Sequence, residues 1–215
     1  MLPVGDDDSS RRSTPVVTYG LIALNVVFFL IELSQGDAFV ERWAFVPSRF
    51  LAHPETQFLT LFTSMFMHAG WVHILGNMLY LWIFGDNVED RFGSGNFLIF
   101  YLLCGLGATF TQMAFSANSN VPNLGASGAI AGVLGSYILM FPRARVSVLM
   151  GAYIVPVSAF VVIGLWFVLQ LFSGLATVTS AAQTGGVAYM AHIGGFITGI
   201  VLTYVFSGGR RAYSG

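Results

Sequence analysis

Long apolar runs separated by short polar segments dominate the chain. The first run, "VVTYGLIALNVVFFLIEL", covers roughly residues 16 to 33. Further runs cover about 97 to 115, 146 to 172 and 187 to 206, and two shorter ones cover 71 to 84 and 127 to 141. A helix that crosses a bilayer needs about 20 mostly apolar residues. The pattern therefore predicts six transmembrane helices, the second and fourth of them short. Between the first two lies a mixed stretch, residues 34 to 67. It carries Asp37, Glu41, Arg42, Arg49, His53 and Glu55 among Phe39, Trp43, Phe45, Phe50, Phe58, Phe62 and Phe66. That mixture is too polar to span and too aromatic for a plain linker, so it reads as a structured loop at the membrane interface. The polar segment "GDNVEDRFGSGN" is expected to end the second helix.

Composition sharpens this picture. The chain is 55% hydrophobic and 9% charged, against about 25% charged in a soluble domain. The expected class is an all-α polytopic membrane protein. A net charge of −1 and the lack of a basic stripe argue against a nucleic-acid partner. Cys104 stands alone, so no internal disulfide is expected. The opening "MLPVGDDDSSRRSTP" is polar and acidic, unlike a signal peptide, and reads as a disordered tail over residues 1 to 15. A six-helix domain over 16 to 206 and a short tail over 207 to 215 complete the expected organisation.

Six spans put both termini on one side, and the arginines choose it. Arg11, Arg12, Arg91, Arg143, Arg145, Arg210 and Arg211 fall on the terminal side, while only Arg42 and Arg49 fall opposite. The positive-inside rule then places both termini in the cytosol.

Polar groups at membrane depth are costly, so their positions are informative. In "HAGWVHILGN", His73 and Asn77 lie four apart on one helix face, with His68 at the helix entrance. Ser127 opens the short fourth helix within "GASG". His192 lies near the outer end of the sixth, within "AHIGGFITG". In the topology above these groups share one layer of the outer half. A serine, a histidine and two further donors at one depth can supply a nucleophile, a general base and an oxyanion site. Asp86, Glu89 and Asp90 fall at the opposite end of their helix. The pattern thus implies a Ser–His dyad whose base is oriented by packing rather than by a carboxylate. Ser127, Ala131 and Gly135 recur at four, with Gly128 and Gly132 alongside. His192, Gly195 and Gly199 form a matching small-residue face, suited to close helix approach. Elsewhere, Glu32 is expected to snorkel from the first helix, Asn25 to act as interhelical glue, and Glu89 and Arg91 to pair or cap at the cytosolic surface.

These motifs, in this order, resemble the rhomboid family of intramembrane serine proteases, in its minimal six-helix form with no further domain expected at either end. The likeness extends over about residues 16 to 206, and "NVEDRFGSG" resembles the family's segment after the second helix. It implies Ser127 as nucleophile, His192 as general base, and His73 and Asn77 as oxyanion side chains beside the Ser127 N–H. It implies supporting roles for His68, Gly125, Gly128, Gly195 and Gly199. It also implies a membrane-embedded first loop over 34 to 67, a cap around "SAAQTGGVAYM" and a gate at the fifth helix. Two positions depart from the pattern. Leu59-Thr60 stands where some members carry Trp-Arg, and Ala131 stands where an aromatic residue often packs on the base.

The expected reaction is hydrolysis of peptide bonds in or near transmembrane segments, in a membrane setting, with no metal or cofactor. The i, i+5 spacing of His68 and His73 is poor for two ligands on one helix. The alternative is a non-catalytic relative that binds transmembrane helices, and a small transporter would need repeats and midplane charges that the chain lacks. The expected home is the bacterial inner membrane.

Overall fold

The structure, a computed structural model, describes residues 2–6, 11–179 and 188–207. It is mainly helical. Six longer helices form the bundle: α1 (Val16–Gln35), α6 (Trp71–Phe92), α7 (Ser94–Phe115), α8 (Ser127–Met140), α9 (Ala159–Thr179) and α10 (Tyr189–Phe206). Among the described residues α1, α7, α9 and α10 are long and apolar enough to cross a membrane, and α8 is a shorter apolar helix. The fold is that of a polytopic membrane protein. The expected cap segment lies mostly outside the described residues, as does most of the C-terminal tail.

The stretch between α1 and α6 folds into four short helices, α2 (Asp37–Trp43), α3 (Pro47–Ala52), α4 (Pro54–Gln57) and α5 (Thr60–Thr63), then a single 3-10 turn at Ser64–Phe66. It is strapped to the segment before α8. Phe45 and Asn123 exchange backbone hydrogen bonds of 3.2 and 2.7 Å, and the Gly125 N–H donates to Ser64 O at 2.8 Å. Thr63 Oγ1 bonds Trp43 O at 2.7 Å. The loop is therefore held by backbone pairing. At the departing pair, Thr60 is buried and Leu59 points outward.

The second helix does not stop at residue 84 as expected. α6 continues through the polar segment to Phe92, with Asp86 and Glu89 buried. It can do so because both carboxylates are satisfied. Glu89 accepts the N–H groups of Val17 at 2.9 Å and Thr18 at 2.7 Å, and the Ser94 hydroxyl at 2.6 Å. These amides open α1 and have no partner within their own helix, and a negative charge there also suits the helix dipole. Glu89 thus caps α1, whereas Arg91 sits over the Phe141 ring. Asp86 pairs with Arg11 at 2.6 Å. Glu32 does not snorkel: it is buried and accepts the His68 N–H at 3.0 Å. The Asn25 amide donates to Leu21 O of its own helix at 2.8 Å, and its side chain also meets the Tyr101 hydroxyl of α7.

Two expectations fail on the side of these charges. Residues 2 to 6 are ordered rather than tail-like, forming β1 (Leu2–Asp6), and the expected fifth span begins as a hairpin, β2 (Arg145–Met150) and β3 (Tyr153–Ser158), before α9. The three strands make an antiparallel sheet in the order β1-β2-β3. Val146 and Val148 are buried at alternate positions of β2, the period of a strand. Gly151, at φ 62, opens the two-residue turn, as a II′ hairpin requires. Pro156 would break a helix here but is tolerated on the edge strand β3. Asp6 fixes β1 by accepting from Tyr137 Oη at 2.6 Å and Asn87 Nδ2 at 2.8 Å.

α10 lies between α7 and α8, and glycine makes that possible. A Cβ at Gly195 would collide with the carbonyl of Gly128, and one at Gly199 with that of Gly132. Helix backbones touch directly there, the close approach that small-residue faces permit. On the α7 side, a Cβ at Gly194 would strike Thr111.

Candidate active site

The α8–α10 seam carries Ser127 at the first position of α8 and His192 in the first turn of α10. Ser127 Oγ and His192 Nε2 lie 2.8 Å apart. The start of α10 is pinned from α7, where Gln112 Oε1 accepts the Ala191 N–H at 3.1 Å. Gly125, two residues before the serine, has φ +129, a backbone setting that favours glycine. A side chain there would also meet the His73 ring. The glycine therefore serves twice, turning the chain into α8 and letting His73 close over Ser127.

His73 and Asn77 project from one face of α6. The Ala69 N–H approaches His73 Nδ1 at 3.4 Å. With Nδ1 accepting, the proton resides on Nε2, the nitrogen nearest Gly125. Asn77 is buried, and its Nδ2 has no hydrogen-bond partner in the protein. His73 Nε2 thus faces the glycine two residues before the serine. The amides of the first turn of α8 add donors, since helix starts leave such groups unpaired. His68 is fully buried, its ring edge-on to His73 with centroids 5.0 Å apart. A small open cleft of about 40 Å³ lies beside Ser127, lined by small groups including Gly105, Ala108, Gly128 and Ala191. No cluster of three or more His, Cys, Asp or Glu side chains able to hold a metal occurs among the described residues.

The structure brings Ser127 and His192 into contact, sets the His73 ring beside Gly125 and places His68 edge-on to His73, with Asn77 one turn further along α6. The glycines Gly128, Gly195 and Gly199 form the seam itself. One element of the expectation is corrected. His192 is not oriented by packing alone. Its Nδ1 lies 2.7 Å from Gln170 Oε1 on α9. The ring also faces Trp166, one turn earlier on α9, with centroids 5.8 Å apart. The aromatic neighbour missing at Ala131 is supplied from another helix. Gln170 was legible in principle: an amide inside "LWFVLQLF" is costly in lipid unless it has a partner.

Fold and site together define a polytopic membrane protein with a serine and a histidine in hydrogen-bond contact between its helices. A rhomboid-domain family model matches residues 55–209. The chain belongs to the rhomboid family. It is 26% identical over 196 residues to the mitochondrial rhomboid protein 1 of Saccharomyces cerevisiae, covering 89% of this chain and 53% of that protein. It is 35% identical over 130 residues to the rhomboid protease GluP of Bacillus subtilis, covering 60% of this chain and 25% of that one. The chloroplastic rhomboid-like protein 11 of Arabidopsis thaliana is 27% identical over 187 residues, covering 85% of this chain and 66% of its own length. The chain therefore spans about half the length of the yeast relative and a quarter of the bacterial one.

Proposed function

We propose that the protein is an intramembrane serine endopeptidase acting on transmembrane segments of other membrane proteins. The observation that carries this reading is the 2.8 Å contact between Ser127 Oγ and His192 Nε2, with the His73 ring against Gly125 and a buried, unpaired Asn77 Nδ2 one turn along the same helix. His192 takes the Ser127 proton as the oxygen attacks the scissile carbonyl. The negative charge on that carbonyl oxygen falls to His73 Nε2–H, Asn77 Nδ2–H and the first-turn amides of α8. Collapse expels the amine with the proton from His192, leaving an acyl-serine. Water, deprotonated by His192, then releases the new carboxyl end. The name of the Bacillus relative, a protease, supports the same reading.

An intact helix hides its carbonyls in its own hydrogen bonds. Substrates should therefore unwind readily, with Gly, Ala or Ser near the cut, and the small-walled cavity beside Ser127 suits such residues. The proposed domain is 16 to 206, with both termini cytosolic, in a bacterial inner membrane. The test is to reconstitute the full chain in liposomes with a transmembrane substrate containing a Gly-Ala-Ser-rich stretch, and to map products by mass spectrometry. Cleavage within the segment that disappears in Ser127→Ala supports the reading. An intact substrate with folded wild type, or equal cleavage by Ser127→Ala, overturns it.

A further inference from the structure

The His192 ring meets a second polar group on the side away from the serine. Gln170 reaches from α9 to put Oε1 2.7 Å from His192 Nδ1, while the opposite nitrogen contacts Ser127 at 2.8 Å. A neutral imidazole carries one proton. To receive the serine's proton, Nε2 must be bare, so Nδ1 must carry the hydrogen. That N–H needs an acceptor, because an unpaired donor between helices in lipid is costly. The carboxylates of α6 cannot serve, being engaged elsewhere: Asp86 with Arg11, Glu89 with the start of α1, Asp90 with Ser13.

We infer that Gln170 is a positioning residue for the reaction, an amide that completes a Ser127–His192–Gln170 relay by fixing the tautomer and tilt of the base. This inference rests on the dyad reading above. Gln170 exchanges no proton: Nδ1–H stays in place while Nε2 gains and then returns the serine's hydrogen. In a serine triad a buried carboxylate takes the corresponding place and also stabilises the imidazolium. A neutral amide holds the ring without burying a charge on a helix as apolar as α9. Trp166, one turn away on the same face, limits how far the ring can swing. Orientation of the base therefore depends on a different helix from the one that carries it.

The test uses the full chain reconstituted in lipid, comparing wild type with Gln170→Leu and Gln170→Glu. The leucine removes the acceptor at similar volume, and the glutamate restores an oxygen at the same reach. For a transmembrane peptide substrate, Gln170→Leu should lower kcat about 10- to 100-fold, within the scale of general-base catalysis, with KM unchanged and thermal unfolding lowered only by the loss of one buried hydrogen bond. Gln170→Glu should recover most of that loss. Nitrogen NMR of histidine-labelled protein, with His192 assigned by difference from His192→Ala, should show the Nδ1–H form in wild type and a tautomer mixture in Gln170→Leu. Wild-type kcat in Gln170→Leu overturns the inference and leaves the dyad standing. So does a slow Gln170→Glu whose tautomer matches wild type, which would make the residue packing only. A wild type that cleaves nothing instead sinks the dyad reading and the catalytic role with it. The tautomer spectrum needs no turnover, and an unshifted His192 in Gln170→Leu overturns the positioning claim by itself.

Discussion

Two contacts hold His192, and they are built differently. On one side, the α8–α10 seam brings backbone against backbone, through Gly128 against Gly195 and Gly132 against Gly199. On the other side, α9 meets the ring through side chains, Gln170 and Trp166. The seam is deep: 44% of the apolar window of α10 is buried, against 22% for α9. The difference separates two tasks. Distance between Ser127 and His192 is set by rigid backbone, where no side chain can relax. The direction of the ring is set by a more exposed helix, whose side chains can be changed without cutting the bundle. Mutations on the two sides should accordingly fail in different ways.

The largest effect is expected at the seam. Gly199→Val places a side chain on the Gly132 carbonyl, with no flexible neighbour to yield. Overpacking typically costs about 1–3 kcal/mol and occasionally more, and a backbone clash belongs at the upper end. Thermal unfolding in detergent should drop sharply, with activity lost through unfolding. Near-normal stability in this variant would break the contrast.

Next comes Asn77→Ala, which lies on neither side and serves as a purely chemical comparison. Loss of one oxyanion donor typically costs about 2.7–4 kcal/mol of barrier. We expect turnover to fall on that scale while unfolding stays put. Unchanged turnover would remove Asn77 from the site.

Trp166→Ala sharpens the α9 side. The ring loses its aromatic neighbour but keeps Gln170, so a fall in kcat of about tenfold is expected, equal to about 1.4 kcal/mol, with KM preserved. Stability should change less than in Gly199→Val. A loss of stability matching the seam variant would show that α9 is as structural as α10.

The smallest effect concerns the N-terminal segment, far from the site. Burial alone would raise the Asp90 pKa. The Ser13 hydroxyl, the Ser13 and Arg12 amides and the Arg12 charge outweigh it, and hold the carboxyl below its ordinary value. A group depressed on folding stabilises above its ordinary range and loses that contribution as pH falls through the folded value. The protection factors of residues 11 to 14 against hydrogen exchange, taken relative to the intrinsic rate at each pH, should therefore fall below about pH 4, or in Asp90→Asn at neutral pH, within the about 1 kcal/mol typical of surface pairs. Turnover should not follow. Tail exchange that ignores both changes would place the anchor elsewhere, at Arg11 with Asp86.

Much of this was legible in the sequence, for identifiable reasons. Apolar length located α1, α7 and α10 within a few residues, because lipid demands uninterrupted runs. Glycine spacing forecast the seam, because only glycine admits such contact. Ser127, His73, Asn77 and His192 stand out as candidates because polar groups at membrane depth need a purpose. The failures share one cause: distant partners. The acidic segment after residue 84 reads as a helix stop until the amides of α1 supply donors for Glu89. β1 reads as a tail until Asp6 meets Tyr137 and Asn87, far along the chain. Residues 145 to 158 are apolar enough to extend a helix, and only Gly151 and Pro156 hint at the hairpin. Gln170 reads as one more residue of an apolar run until its partner, His192, is met on another helix.

The central claim is that His192 activates Ser127. Its most direct measurement is labelling of the folded full chain by a fluorophosphonate probe, with the modified residue mapped by mass spectrometry. The account predicts modification of wild type at Ser127, and none in Ser127→Ala or His192→Ala. A folded wild type that stays unlabelled, or a His192→Ala variant that labels as fast as wild type, would contradict it.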